Sequence, residues 1–177
     1  MPKEIFMLRY SIADEMLYGT VGGESISTKA FSGGGRGSNA GAERTDLAHW
    51  STSKKAPEHF DIENRGGPLP VGLYTATYIG KYKKFGECAR LNQTLTSLLQ
   101  EDPTSPLGVK VTDRDGFLIH GEGPKGSDGC IVPANKQALK SILGAIKREG
   151  RPVLLEVHSE GMRFDKLEGR KSSGNAA

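Results

Sequence analysis

Phe117-Leu118-Ile119-His120-Gly121-Glu122-Gly123-Pro124-Lys125-Gly126-Ser127-Asp128-Gly129-Cys130-Ile131-Val132-Pro133 reads as an apolar run ending in a histidine, a loop, and a second apolar run headed by a cysteine. The first run is too short for a helix and is bounded by turn residues, so it reads as a strand with His120 at its end. Upstream, Asp113-Arg114-Asp115-Gly116 is a hairpin signal, because Asp-Gly tolerates the positive φ of a tight turn; it predicts that Leu107–Thr112 pairs with Phe117–His120. Downstream, Leu139, Ile142, Leu143 and Ile146 recur at helical spacing, predicting an amphipathic helix over Lys136–Glu149, with Asn135 capping its start and Gly150 closing its end. Val153, Leu155 and Val157 then alternate as a last strand.

The remaining segments also point to strands. Residues 4–31 alternate apolar and polar character between Gly19, Gly22 and Gly23, the pattern of a β-meander, and Leu73–Ile79 has the β-branched and aromatic content of a strand after the rigid turn Gly66-Gly67-Pro68-Leu69-Pro70-Val71-Gly72. A short helix is expected over Asn92–Gln100, with Leu91, Leu95, Leu98 and Leu99 on one side, inside an insertion spanning 80–106. Residues 42–65, with His49, Trp50 and His59, read as a long surface excursion. Glycine, 24 of 177 residues, is about twice its usual ~7% share, which favours turns and close backbone approaches over long helices. The expectation is a mainly β fold with a minor α component. One domain is expected over 1–159, followed by a frayed tail over 160–177.

Composition excludes several classes. The charge is 24 − 21 = +3 and is spread along the chain, without the basic stripe of a nucleic-acid binder. Lys81-Tyr82-Lys83-Lys84 reads as a solvated hairpin or loop face. The longest apolar run, Ile5–Leu8, has four residues against the ~20 of a spanning helix, so no membrane insertion is expected. The N-terminus has no secretory pattern, which predicts synthesis in the cytoplasm. Cys88 and Cys130 lie 42 positions apart with no second Cys near either, so neither a redox pair nor a zinc site is expected; no metal and no cofactor is predicted.

Cys130 follows His120 by ten residues across a loop holding four glycines and one proline, which allows thiol and imidazole to meet. A free thiol with pKa near 8.5 is only a few per cent thiolate at neutral pH, and an imidazole that accepts its proton raises that fraction. Glycine leaves the backbone N–H groups of Gly129 and Cys130 open toward an oxyanion, and Ser127 and Asp128 are candidates to orient the imidazole or the loop. His158, ending the last strand, reads as structural.

Ile119-His120-Gly121 followed by Ser127-Asp128-Gly129-Cys130-Ile131 resembles the active-site signature of the L,D-transpeptidases. The ten-residue spacing, and Asp128 where the housekeeping enzymes carry a second histidine, look like the short effector branch delivered by the type VI secretion system. Phe31-Ser32-Gly33-Gly34-Gly35-Arg36-Gly37-Ser38-Asn39 is similar to that branch's Ser-Gly-x-Gly-x-x-Asn loop, and Gly67-Pro68-Leu69-Pro70-Val71-Gly72-Leu73-Tyr74 to its Gly-Pro-Ile-Pro-x-Gly-x-Tyr turn.

The resemblance implies a β-sandwich-like catalytic domain acting on peptidoglycan tetrapeptide stems. Cys130 would attack the carbonyl of the L-centre of diaminopimelate and expel D-alanine, with His120 as base and later acid. The acyl group would pass to water, a D-amino acid or another stem amine. Gly121, Ser32, Arg36 and Asn39 form the candidate substrate-binding set, Arg36 and Asn39 for a stem carboxylate. The resemblance also implies secretion into a target bacterium's periplasm, with the secretion machinery and a periplasmic immunity protein as partners. Two alternatives stand beside this reading: a cytosolic thiol amidase or peptidase, and a non-catalytic wall-binding module.

Overall fold

Alternation of apolar side chains sets the strands. Leu8 and Tyr10, Tyr74 and Ala76, and Val153, Leu155 and Val157 are all buried at every second position of their segments, one face of each strand against a common core. The structure is a computed structural model that describes residues 7–33, 68–112, 115–121 and 129–162.

Its strands are β1 (Leu8–Ser11), β2 (Met16–Val21), β3 (Glu24–Phe31), β4 (Gly72–Lys81), β5 (Glu87–Gln93), β6 (Leu99–Glu101), β7 (Val109–Val111), β8 (Leu118–Ile119), β9 (Val132–Pro133) and β10 (Val153–His158). Two α-helices, α1 (Leu95–Leu98) and α2 (Lys136–Glu149), complete it with a 3-10 turn at Lys83–Phe85. The fold is mainly β, as expected, and the meander over residues 4–31 is realised by β1, β2 and β3 among the residues described.

Eight strands form one sheet in the order β8-β5-β4-β10-β1-β2-β3-β9. All neighbours in this order are antiparallel except β1 and β10, which run parallel in the middle. The two ends of the order then meet: Ile119 of β8 bridges Ile131, just before β9, in a parallel pair. The sheet therefore closes on itself along a seam. Helix α2 packs on β2, β3 and β9 from one half of the order and on β4 and β5 from the other, so the sheet curls around it.

The helix follows its sequence signals closely. Ile142, Leu143, Ala145 and Ile146 are buried, and Asn135 accepts a hydrogen bond from Ala138 N–H at 2.8 Å, a cap contributing about 1 kcal/mol. Gly150 sits in the left-handed region at φ 71°. Two tyrosines fill the core while satisfying their hydroxyls: Tyr10 donates to Ala30 O at 3.0 Å and Tyr74 to Pro70 O at 2.7 Å. The second of these bonds ties the Pro-Leu-Pro turn to β4.

Three sequence expectations are corrected. Leu107–Thr112 does not pair with Phe117–His120: β7 pairs with β6 in a separate two-stranded ribbon, and β8 pairs with β5. Phe117, Leu118 and Ile119 are consecutively buried, the signature of a strand covered on both faces, whereas Val109 and Val111 are exposed. Gly116 therefore lies between two sheets. The helix expected over Asn92–Gln100 is one turn long, with Leu91 in β5, Leu99 in β6 and Leu95 exposed. Nor is 80–106 an insertion, because β5 lies between β4 and β8 inside the main sheet. The Lys81–Lys84 run does lie on a hairpin between β4 and β5, closed by Tyr82 N–H to Gly86 O at 2.9 Å.

Candidate active site

The seam positions the candidate residues. Ile131 N–H donates to Leu118 O at 2.9 Å and His120 N–H donates to Ile131 O at 3.1 Å, so the two segments run parallel with Ile119 opposite Ile131. Both isoleucines are fully buried. Their neighbours His120 and Cys130, each one residue away along an extended strand, therefore face the other side of the seam together. Strand rise and spacing put their Cα atoms roughly 8 Å apart, a span that the two side chains can close from one face.

The imidazole is held in a defined orientation. His120 is 7% exposed, and its Nδ1 lies 3.0 Å from Gly121 O. A carbonyl oxygen only accepts, so Nδ1 donates to it, which leaves Nε2 as the ring nitrogen available to exchange a proton with a thiol. Phe85, from the 3-10 turn, packs on the ring with centroids 4.7 Å apart and planes at 48°. A neutral imidazole with an unprotonated Nε2 is the form needed to take a proton from a thiol.

The two cysteines differ. Cys130 is half-buried at the seam, whereas Cys88 is fully buried in β5, and no disulfide joins them. Burial pushes the Cys88 thiol above its ordinary value, with the Arg90 charge opposing more weakly. Only the thiolate alkylates readily, so Cys88 gains reactivity only as pH rises past the ordinary thiol range. Iodoacetamide at pH 7.5 is expected to label Cys130 and leave Cys88 unmodified until the chain is unfolded, as peptide mass mapping would read; labelling of Cys88 first would contradict this assignment.

The remaining sequence candidates are distributed unevenly. Ser32 is engaged with backbone: its hydroxyl accepts from Leu69 N–H at 2.8 Å and donates to Gly129 O at 3.0 Å. It thus stitches the end of β3, the Pro-Leu-Pro turn and the cysteine segment together. Gly121 supplies the acceptor that orients His120 and lies against Leu139 of α2, whose Cδ2 would be 2.4 Å from a Cβ placed there. Gly129 adopts φ 121°, open to glycine and strained for other residues. Ser127, Asp128, Arg36 and Asn39 lie outside the described residues, as do His49, Trp50 and His59. His158 shares a hydrogen bond with Tyr18 Oη at 2.7 Å through Nε2, away from the seam, as its structural reading expects.

The Gly121 carbonyl, the Phe85 ring and the Ser32 bridge are contributions that sequence reading missed. The Phe85 and Ser32 contacts depend on tertiary placement, whereas the Gly121 carbonyl is the backbone of the next residue and has no residue-type signature; only Ser32 had a signal, as the first polar residue after a strand and before a glycine-rich stretch.

The chain is similar to several solved structures. An L,D-transpeptidase from Mycobacterium tuberculosis H37Rv matches with TM-score 0.46 at 12% identity, over 88% of this chain and 58% of that one. The helical cell shape determining protein Pgp2 from Campylobacter jejuni matches with TM-score 0.44 at 14% identity, over 94% of this chain and 55% of that one. Its K307A mutant gives TM-score 0.44 at 14% identity, over 92% and 50%. The chain thus spans between half and three-fifths of the length of these structures. No protein-family model and no curated protein matches the sequence. Among the described residues no helix is long and apolar enough to cross a membrane.

Proposed function

We propose that the protein is a cysteine-dependent acyl-transferase of the L,D-transpeptidase type that acts on peptidoglycan stem peptides. The observation that carries this reading is the seam, where the segments of the Ile-His-Gly and Gly-Cys-Ile motifs are hydrogen-bonded to each other, with His120 oriented through Nδ1 by the Gly121 carbonyl.

In this reading His120 Nε2 takes the Cys130 proton and Sγ attacks the carbonyl of the L-centre of diaminopimelate. A C–S bond forms and the carbonyl π pair moves to oxygen, stabilised by the Gly129 and Cys130 N–H groups. Collapse restores the carbonyl and breaks the C–N bond, and D-alanine leaves with the proton from His120. Water, a D-amino acid or a stem amine, deprotonated by His120, then releases the acyl group. Ser127 and Asp128 are proposed to hold the loop, and Arg36 and Asn39 to bind a stem carboxylate.

Incubation with purified tetrapeptide stems should release one D-alanine per stem, read by mass spectrometry. A stem that stays intact would overturn the assignment in favour of a thiol amidase with another substrate or a wall-binding module.

The finer reading is an effector delivered by type VI secretion into a competitor's periplasm, opposed there by an immunity protein. The compressed His–Cys spacing, Asp128, and the order of the three motif pieces along residues 31–131 support it. Because the substrate would lie outside the cytoplasm, expression with a fused secretion signal should kill a bacterial host while cytosolic expression is tolerated. Equal lethality of the two forms would refute the effector role.

A further inference from the structure

Ser32 stands 97 residues before Gly129 in the chain, yet its hydroxyl donates to the Gly129 carbonyl at 3.0 Å while accepting from Leu69 N–H at 2.8 Å. A serine hydroxyl has one proton, and the Leu69 amide can only donate to it; that proton is therefore directed to Gly129 O. The Leu69 end is firmly placed, since Leu69 is fully buried and the next residue's carbonyl is fixed by Tyr74.

The Gly129 carbonyl and the Cys130 N–H belong to one planar trans peptide, in which C=O and N–H point in opposite directions. Fixing the oxygen therefore fixes the direction of the N–H. Gly129, at φ 121°, offers little intrinsic resistance to rotation of the peptide that follows it, so an external anchor decides its orientation. A half-turn of this peptide would replace a donor by a carbonyl oxygen on the side where negative charge develops.

We infer that Ser32 is a positioning residue that aims the Cys130 N–H at the oxyanion of the acyl-transfer intermediate. The inference rests on the acyl-transferase reading above. Ser32 does not act on the thiol, so its loss should spare chemistry that forms no oxyanion. Alkylation by iodoacetamide is such a reaction, because it displaces iodide at a saturated carbon and needs only the Cys130 thiolate.

The test compares wild type, Ser32→Ala and Ser32→Thr as full chains, with stem tetrapeptide and with p-nitrophenyl acetate, an acyl donor that requires no stem recognition. Removal of a whole oxyanion donor costs ~10²–10³ in kcat, so misaiming one should lower kcat about 10–100-fold. KM and the rate and pH profile of Cys130 alkylation should stay at wild-type values, and Ser32→Thr, which keeps the hydroxyl, should recover most of kcat. An unchanged kcat, a parallel loss of alkylation, or a Thr variant no better than Ala would overturn the inference.

Should Ser32→Ala not fold, Ser32→Cys, a weaker donor of similar size, is expected to show an intermediate kcat, and a wild-type value would count against the role. A wild-type protein that deacetylates the ester but leaves stems intact would refute the stem-peptide reading while leaving Ser32 open to judgement on the ester. Inertness toward both substrates would refute both.

Discussion

Cys130→Ala is expected to abolish release of D-alanine from tetrapeptide stems, and His120→Gln to reduce it by at least about 10³-fold, with the circular dichroism spectrum unchanged. Without Sγ there is no atom to form the acyl-enzyme, and alanine fits within the space that a half-buried cysteine already occupies. Glutamine retains a polar side chain at position 120 but cannot accept the thiol proton at neutral pH. The two effects should be strongly non-additive, because nucleophile and base act as one unit: the double variant should be no slower than Cys130→Ala alone. Turnover by Cys130→Ala within tenfold of wild type would remove the cysteine mechanism altogether. The effector reading predicts in parallel that periplasmic expression of this variant is harmless.

Gly72→Ala is expected to destabilise the protein by about 3 kcal/mol, lowering Tm by roughly 6–12 °C for a chain of this size. Gly72 has φ 134°, and a Cβ there would lie 2.6 Å from Ser97 Cα and 2.7 Å from both Ser97 N and Thr96 O. These are backbone atoms and cannot step aside by changing a rotamer. Helix α1 is also tied to the start of β4, because Thr94 Oγ1 donates to Leu73 O at 2.7 Å and Leu73 N–H donates to Thr96 Oγ1 at 2.9 Å. Gly80→Ala provides the control. Gly80 also has a positive φ, 72°, but nothing lies within 4 Å of a Cβ built on it, so it carries the backbone strain without the collision. Its cost should be about 1 kcal/mol. Equal losses of Tm in the two variants, measured by thermal unfolding, would show that the contact with α1 contributes nothing.

The elements legible in the sequence were those whose signal is local. Helix α2 carried its own caps and an apolar stripe, and β10 its alternation, so both match the structure closely. The meander was legible because its strands pair with their nearest neighbours in sequence. Misreadings arose where local and long-range signals competed. Leu91, Leu95, Leu98 and Leu99 have helical spacing, but Leu91 is claimed by the ladder of β5 with Ala76 in β4, which leaves one helical turn. Asp-Gly before Phe117 is a real turn signal, yet burial of Phe117, Leu118 and Ile119 draws that segment into the main sheet.

At the candidate site, His120 and Cys130 stood out because a glycine-rich loop joins them across only ten residues. Ser127 and Asp128 were expected to orient the imidazole or the loop, and both lie outside the described residues. Among the described residues the acceptor is the backbone of Gly121, which has no residue-type signature. Ser32 was legible as part of the site's surroundings, but its dealings with two backbones depend on packing between segments far apart in the chain.

The placement of β10 between β4 and β1 governs how the chain acquires its shape. Leu8 waits for Leu155 as its register partner, so the middle of the sheet joins β1 to β10, the strand furthest from it in sequence. A fragment ending before residue 153 lacks β10, so β1 and β4 each keep an open edge even where β8 and β9 meet at the seam. Contacts of such long sequence separation slow folding and leave strand edges exposed until β10 is available. Completion of the main sheet therefore waits on β10, which must insert between two strands that already lie in place.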